Sequence, residues 1–132
     1  MDIDALTTPA LILDRAIVTR NTRRMGARMA AQGVALRPHL KTAKSAQVAA
    51  LAVAGQAGGI TVSTLAEAAY FLGHGFSDIT YAVGIVAGKL PAAADLMARG
   101  ADLKILTDNL DAARAIAAFE GPALFKVLIE ID

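Results

Sequence analysis

The segment from Arg37 to Lys44, with the sequence Arg-Pro-His-Leu-Lys-Thr-Ala-Lys, carries the residues best suited to chemistry. It follows an apolar run that is typical of a strand, and enzymes with parallel strands collect catalytic residues where those strands end. A partly desolvated lysine in such a place offers its amine as a nucleophile for a Schiff base. An ordinary surface loop with two exposed lysines explains the same residues and, on these residues alone, is the favoured interpretation.

The rest of the chain alternates between strand-like and helix-like patterns. Apolar runs predict strands at 10–13, 34–37, 58–62, 78–83, 102–106 and 123–131. Helices are expected between them, with beginnings marked by Asp14, Ser45, Thr64, Gly88 or Leu90, and Asp108. The strands recur about every 20 residues, which is typical of βα units whose crossovers make the strands parallel.

Two α/β architectures fit this alternation. The first is a partial (β/α)8 (TIM-type) barrel, with about five parallel strands and outer helices; a complete barrel needs about 250 residues. The chain has 132 residues and reaches its end on a strand pattern, so we expect part of a larger barrel. The second is an open flavodoxin-like sheet, for which five parallel strands suffice. The pattern of elements does not separate the two.

Composition excludes several classes of protein. Apolar residues make up 55% and charged residues 19%, which excludes intrinsic disorder, and the absence of cysteine excludes disulfide frameworks, thiolate zinc sites and thiol catalysis. The net charge of +1 gives no reason to expect nucleic acid, so the arginines between 15 and 28 are interpreted as a solvated helix face. The uncharged stretch 45–66 is interpreted as a helix and a strand, not as a membrane span. We expect a cytoplasmic protein, because no signal-peptide core follows the acidic start.

Five motifs, in this order, resemble one known family. They are Thr-Pro-Ala-Leu-Ile-Leu-Asp at 8–14, Arg-Pro-His-x-Lys-Thr at 37–42, Val-Ser-Thr-Leu-Ala-Glu-Ala at 62–68, Asp-Ile-Thr-Tyr-Ala at 78–82 and Ile-Glu-Ile-Asp at 129–132. The chain is similar to the D-threonine aldolase and D-serine dehydratase family, pyridoxal 5′-phosphate (PLP) enzymes of fold type III with an alanine-racemase-type barrel. The resemblance favours the barrel over the open sheet and implies that residues 1–132 form the N-terminal part of a PLP-binding barrel domain.

The resemblance also implies roles for particular residues. Lys41 corresponds to the catalytic lysine that holds PLP as a Schiff base, and His39 is expected near the cofactor. Arg37 is expected beside them at the barrel mouth. Tyr81 either lines the same pocket or packs under a helix, and both interpretations stay open. Lys44 is interpreted as a residue of the first turn of the following helix.

The function implied is that of a PLP-dependent lyase acting on D-β-hydroxy amino acids, as an aldolase or as a dehydratase. The family usually has a histidine where this chain has Ala43, which puts that histidine's role in substrate handling in doubt. No metal site is predicted here, and ligands for a divalent metal are expected elsewhere in the full-length protein. That protein is expected to be a homodimer that binds a small D-amino acid and neither nucleic acid nor membrane. The alternatives are a PLP carrier without turnover and an inactive fragment.

Overall fold

A computed structural model describes residues 2–131 of the chain, so Met1 and Asp132, the last residue of the predicted C-terminal motif, lie outside the described residues. Its helices are α1 (Arg15–Ala31), α2 (Ala46–Val53), α3 (Leu65–Gly73), α4 (Leu90–Ala98) and α5 (Leu110–Ala117), with a 3-10 turn at Ala87–Lys89. Its strands are β1 (Ile60–Val62), β2 (Asp78–Gly84), β3 (Asp102–Thr107) and β4 (Lys126–Ile129). They form one parallel sheet in the order β1-β2-β3-β4.

The predicted α/β architecture with parallel strands is confirmed, but two predicted strands are wrong. Residues 10–13 form no strand, and Leu11 is 92% exposed, because no neighbouring strand pairs with them among residues 2–131. Residues 34–37 form none either, and a single parallel bridge lies further on, between His39 and Thr61. The Pro38 carbonyl also accepts the Thr61 N–H at 2.9 Å. Proline lacks only the donor, so it tolerates a position that needs an acceptor.

Local capping explains where the helices begin. Asp14 caps α1 by accepting the Ile17 N–H at 2.9 Å, and Ser45 and Thr64 cap α2 and α3 as predicted. The prediction for α5 was one residue early. Asn109, in an extended conformation, caps that helix by accepting the Ala112 N–H at 2.8 Å.

Helices cover one face of the sheet. The strand side chains on that face are fully buried: Ile60, Val62, Ile79, Leu103 and Ile105. They share one core with residues of the helices, among them Ala49 of α2, Phe71 of α3 and Leu96 of α4. Each such aliphatic side chain contributes roughly 1.5–3 kcal/mol through burial. Thr80, Lys104 and Lys126, which lie opposite one another on neighbouring strands, belong to the other face.

The uncharged stretch 45–66 forms α2, β1 and the start of α3, as predicted. Within residues 2–131, every helix is too short or too polar to cross a bilayer. The five arginines of α1 are all exposed, which confirms the interpretation as a solvated face.

Candidate active site

A closed turn presents Lys41 at the carboxyl end of the sheet. Leu40 is buried and its N–H donates to the Thr61 carbonyl at 2.9 Å, which fixes the start of the turn against β1. The Lys44 N–H donates to the Leu40 carbonyl at 2.9 Å and closes the turn. Lys41 lies inside it and is exposed. Lys41 therefore follows the single bridge at His39, and not a strand as predicted, and it lies at the carboxyl end of β1.

His39 lies beside this turn with both ring nitrogens engaged. Nδ1 accepts the backbone N–H of Lys41 at 3.2 Å, and Nε2 lies 3.4 Å from the Ser63 hydroxyl. Loss of solvation, aided by the nearby positive charge of Lys41, lowers the pKa of His39 below its ordinary 6.5, although Glu67 opposes the shift. A neutral imidazole whose Nδ1 accepts carries its proton on Nε2, so this ring holds a proton at the same end of the sheet as Lys41.

The amine of Lys41 differs from every other lysine amine of the chain. Lys44, Lys89, Lys104 and Lys126 each place Nζ within 3.2 Å of a carboxylate or hydroxyl oxygen. Within residues 2–131, Lys41 takes part in a hydrogen bond through its backbone, and its amine takes part in none and in no ion pair. An exposed amine without a partner can react, and a neutral histidine beside it fits a site that attaches an aldehyde cofactor.

Glu67 is the residue of this site that sequence reasoning missed. It lies three residues after the Thr64 cap, the position at which a capping box has a glutamate. Its Oε2 instead accepts the Ser63 N–H at 2.8 Å, and Oε1 lies 3.2 Å from the Lys44 amine. Burial alone would raise the pKa of Glu67, but the Ser63 N–H and Lys44 outweigh it and hold that pKa below its usual value. The capping pattern was a usable signal, whereas the contact with Lys44 was not visible in the sequence.

Two expectations about neighbouring residues are wrong. Arg37 does not lie at the mouth: its guanidinium donates to Asp78 at 2.8 Å, at the amino end of β2, because Arg37 precedes the His39–Thr61 bridge and lies level with the starts of β1 and β2. Lys44 is not in the first turn of α2. It precedes the Ser45 cap and has a left-handed backbone with φ of +46°.

Tyr81 is buried in the middle of β2 and belongs to the core. Its hydroxyl accepts from the Lys89 amine at 2.8 Å, and that amine lies 5.4 Å from the centre of the ring. In the described part of the chain, none of the hydrogen bonds joins Tyr81 to His39 or Lys41. The structure thus brings His39 and Lys41 together, whereas Tyr81 contacts Lys89 of the 3-10 turn. A role for Tyr81 at the cofactor stays a prediction.

Residues 2–131 contain no cluster of three or more His, Asp or Glu side chains that could hold a metal ion. A metal therefore has no set of ligands among them, and no chemical step is assigned to one.

Comparison with known proteins identifies the family of the chain. Residues 13–132 match the family described as alanine racemase, N-terminal domain. The chain is 53% identical over 129 residues to a D-threo-3-hydroxyaspartate dehydratase from Delftia sp. (strain HT23), covering 96% of this chain and 34% of the relative. The solved structure of the dehydratase from Delftia sp. HT23 has a TM-score of 0.90 at 51% identity, covering 95% of this chain and 34% of that one.

Two further relatives are more distant. A D-serine dehydratase from Dictyostelium discoideum is 31% identical, covering 99% of this chain and 36% of the relative. A D-threonine aldolase from Arthrobacter sp. is 33% identical, covering 95% of this chain and 34% of the relative. The chain thus spans about a third of the length of the curated relatives it matches. The resemblance predicted from the motifs is confirmed, and the chain belongs to the alanine racemase N-terminal domain family.

Proposed function

We propose that this chain supplies the cofactor-attaching lysine, Lys41, of a PLP-dependent lyase that acts on D-3-hydroxy amino acids. The observation that carries the proposal is the Lys41 amine, which lies at the carboxyl end of a parallel sheet and has no partner among residues 2–131, in a chain of this family. Residues 1–132 then form the N-terminal part of the barrel domain, and the whole protein acts as a homodimer on a small D-amino acid. The names of the three relatives, two dehydratases and an aldolase, support a lyase over a PLP carrier.

Lys41 and His39 would have different roles. Lys41 attaches the cofactor through Nζ, and the turn closed by the Lys44 N–H holds it at the mouth. His39 stays neutral, keeps its proton on Nε2 towards Ser63 and buttresses the Lys41 backbone. When bound, PLP supplies an electron sink for the bond that breaks at the substrate Cα.

The substitution Lys41→Ala tests this proposal in the full-length protein. We expect the loss of the near-ultraviolet and visible absorbance that borohydride removes, together with the loss of lyase activity. Lys126→Ala is the matched control, because Lys126 begins β4 and its amine contacts Asp102 at the opposite end of the sheet. It should keep both signals. Retention of the borohydride-sensitive absorbance in Lys41→Ala would rule out this assignment.

The identity to the Delftia dehydratase favours elimination of water over cleavage between Cα and Cβ. Dehydration of D-threo-3-hydroxyaspartate releases water, and hydrolysis of the resulting enamine yields a 2-oxo acid and ammonia. Aldol cleavage of a D-3-hydroxy amino acid yields glycine and an aldehyde instead. Incubating the full-length protein with D-threo-3-hydroxyaspartate, D-serine and D-threonine, and measuring ammonia and glycine, separates the two reactions. Ammonia without glycine is the expected result.

A further inference from the structure

We propose that α3 determines which of two neighbouring lysines is available to the cofactor, through two positioning residues, Glu67 and Tyr70. This inference rests on the proposed function and concerns the same site. The two residues are three positions apart on one helix, so their side chains share a face. That face contacts the segment that follows Lys41 at two points, one at Lys44 and one at Ala46.

The first contact is made by Glu67. Its carboxylate is 9% exposed and is oriented by the Ser63 N–H on one oxygen, which leaves the other oxygen for Lys44. A buried carboxylate requires partners, and Lys44 supplies the charge that compensates it. The Lys44 amine would have to give up its contact with Glu67, at 3.2 Å, before it could attack an aldehyde. Lys44 is therefore engaged, although it is exposed and only three residues from Lys41.

The second contact is made by Tyr70. Its hydroxyl accepts the backbone N–H of Ala46 at 3.2 Å, at the first residue of α2. The first N–H groups of a helix have no partner within the helix, so this bond satisfies a donor and joins α2 to α3. The ring itself packs edge-on against Phe71, with centres 5.0 Å apart, so the hydroxyl is held in place.

The backbone is strained at Lys44, the residue that makes the first of these two contacts. Lys44 has φ of +46°, a conformation that residues with a side chain rarely adopt and that persists where the surroundings impose it. The turn from Leu40 to Lys44 is thus held at its start by β1 and at its end by α3. Lys41, in the middle, is held in position through its backbone, while its amine contacts no partner in the described part of the chain.

Competitive acylation of the full-length apo-protein with trace acetic anhydride, read by peptide mapping, tests the inference without PLP. Glu67→Gln should raise the reactivity of Lys44 relative to Lys126 by up to about fivefold, the factor expected for losing one half-exposed ion pair. Asp95→Asn, which removes the exposed pair with Arg99 on α4, is the matched control and should leave Lys44 unchanged. A general loss of structure would raise all lysines together, and that result, or an unchanged Lys44, would overturn the inference.

The cofactor arm uses PLP followed by borohydride reduction. Wild type should carry the pyridoxyl label on Lys41, and Glu67→Gln should carry part of it on Lys44. Tyr70→Phe removes only the hydroxyl and should weaken PLP binding by about two- to tenfold, the range for one hydrogen bond. Label on Lys41 with the same distribution in Glu67→Gln contradicts the inference alone. Absence of label from Lys41 in wild type contradicts the proposed function, and the acylation arm still decides the role of Glu67.

Discussion

The two ends of the sheet differ in how their charged side chains are paired. At the amino end, charges alternate in sign from the segment before β1 to the edge strand, in the order Arg37, Asp78, Lys104, Asp102 and Lys126. At the carboxyl end, Glu67 engages Lys44, while the amine of Lys41 has no partner among residues 2–131. Charged groups that pair with one another stabilise the fold, whereas an amine without a partner is available for chemistry. Arg37 and Lys41 are only four residues apart, yet Arg37 belongs to the paired charges at the amino end of the sheet and Lys41 lies at the carboxyl end.

Gly59→Ala should have the largest effect on stability, because it disrupts the packing at the amino end of the sheet. A Cβ at this position would collide with the backbone oxygen of Asp78 and come within 2.6 Å of the Arg37 guanidinium. Backbone cannot yield as a flexible side chain does, so we expect a loss of about 3 kcal/mol in the free energy of unfolding.

Urea unfolding of the full-length protein measures this loss, with Gly73→Ala as the control. A Cβ on Gly73, at the end of α3, meets nothing within 4 Å. That variant should match wild type or gain up to about 1 kcal/mol. Equal stability of the two variants would show that the close approach at Gly59 is not required.

Asp78→Asn should have a smaller effect that depends on pH. The hydrogen bond from Arg37, with help from Lys104 and against the effect of burial, lowers the pKa of Asp78 from 3.8 to about 2. Because the folded pKa is the lower one, the stabilisation is present above about pH 4 and is lost as the pH falls towards 2. The side chain is 38% exposed, so solvent screening reduces the contribution to about 1 kcal/mol.

Unfolding measured at pH 7 and near pH 2 should therefore separate wild type from Asp78→Asn only at the higher pH. The matched control is Asp95→Asn, whose pair with Arg99 is exposed on α4 and should contribute less than about 0.5 kcal/mol. A difference between Asp78→Asn and wild type that is the same at both pH values would contradict the assigned cause.

The smallest expected effect is a titration shift at the carboxyl end. Desolvation and the charge of Lys41 lower the pKa of His39, so its NMR titration midpoint should lie below 6.5. Lys41→Ala removes the second cause and should raise that midpoint, whereas Lys126→Ala should not. An unchanged midpoint in Lys41→Ala would contradict the assigned effect of the Lys41 charge on the pKa of His39.

What the sequence predicted depends on how local the cause is. The caps at Asp14, Ser45 and Thr64 act within one turn of helix, so their positions were predicted correctly. The parallel pairing at His39 depends on a strand more than twenty residues away, and the prediction placed it too early. The partners of Arg37 and Glu67 follow from the assembled sheet. The assignment of Lys41 came from a motif shared with the family, whereas its lack of a partner among residues 2–131 could not be predicted from the sequence.

Reduction of the wild-type full-length protein with borohydride in the presence of PLP, followed by peptide mapping, tests the central claim most directly. The account predicts a pyridoxyl label on Lys41, the lysine whose amine has no partner among the described residues. Lys44 is the stringent internal comparison, since it lies in the same peptide segment and differs by its contact with Glu67. A label on Lys44 instead of Lys41, or on no lysine of residues 2–131, would contradict the assignment and the functional proposal built on it.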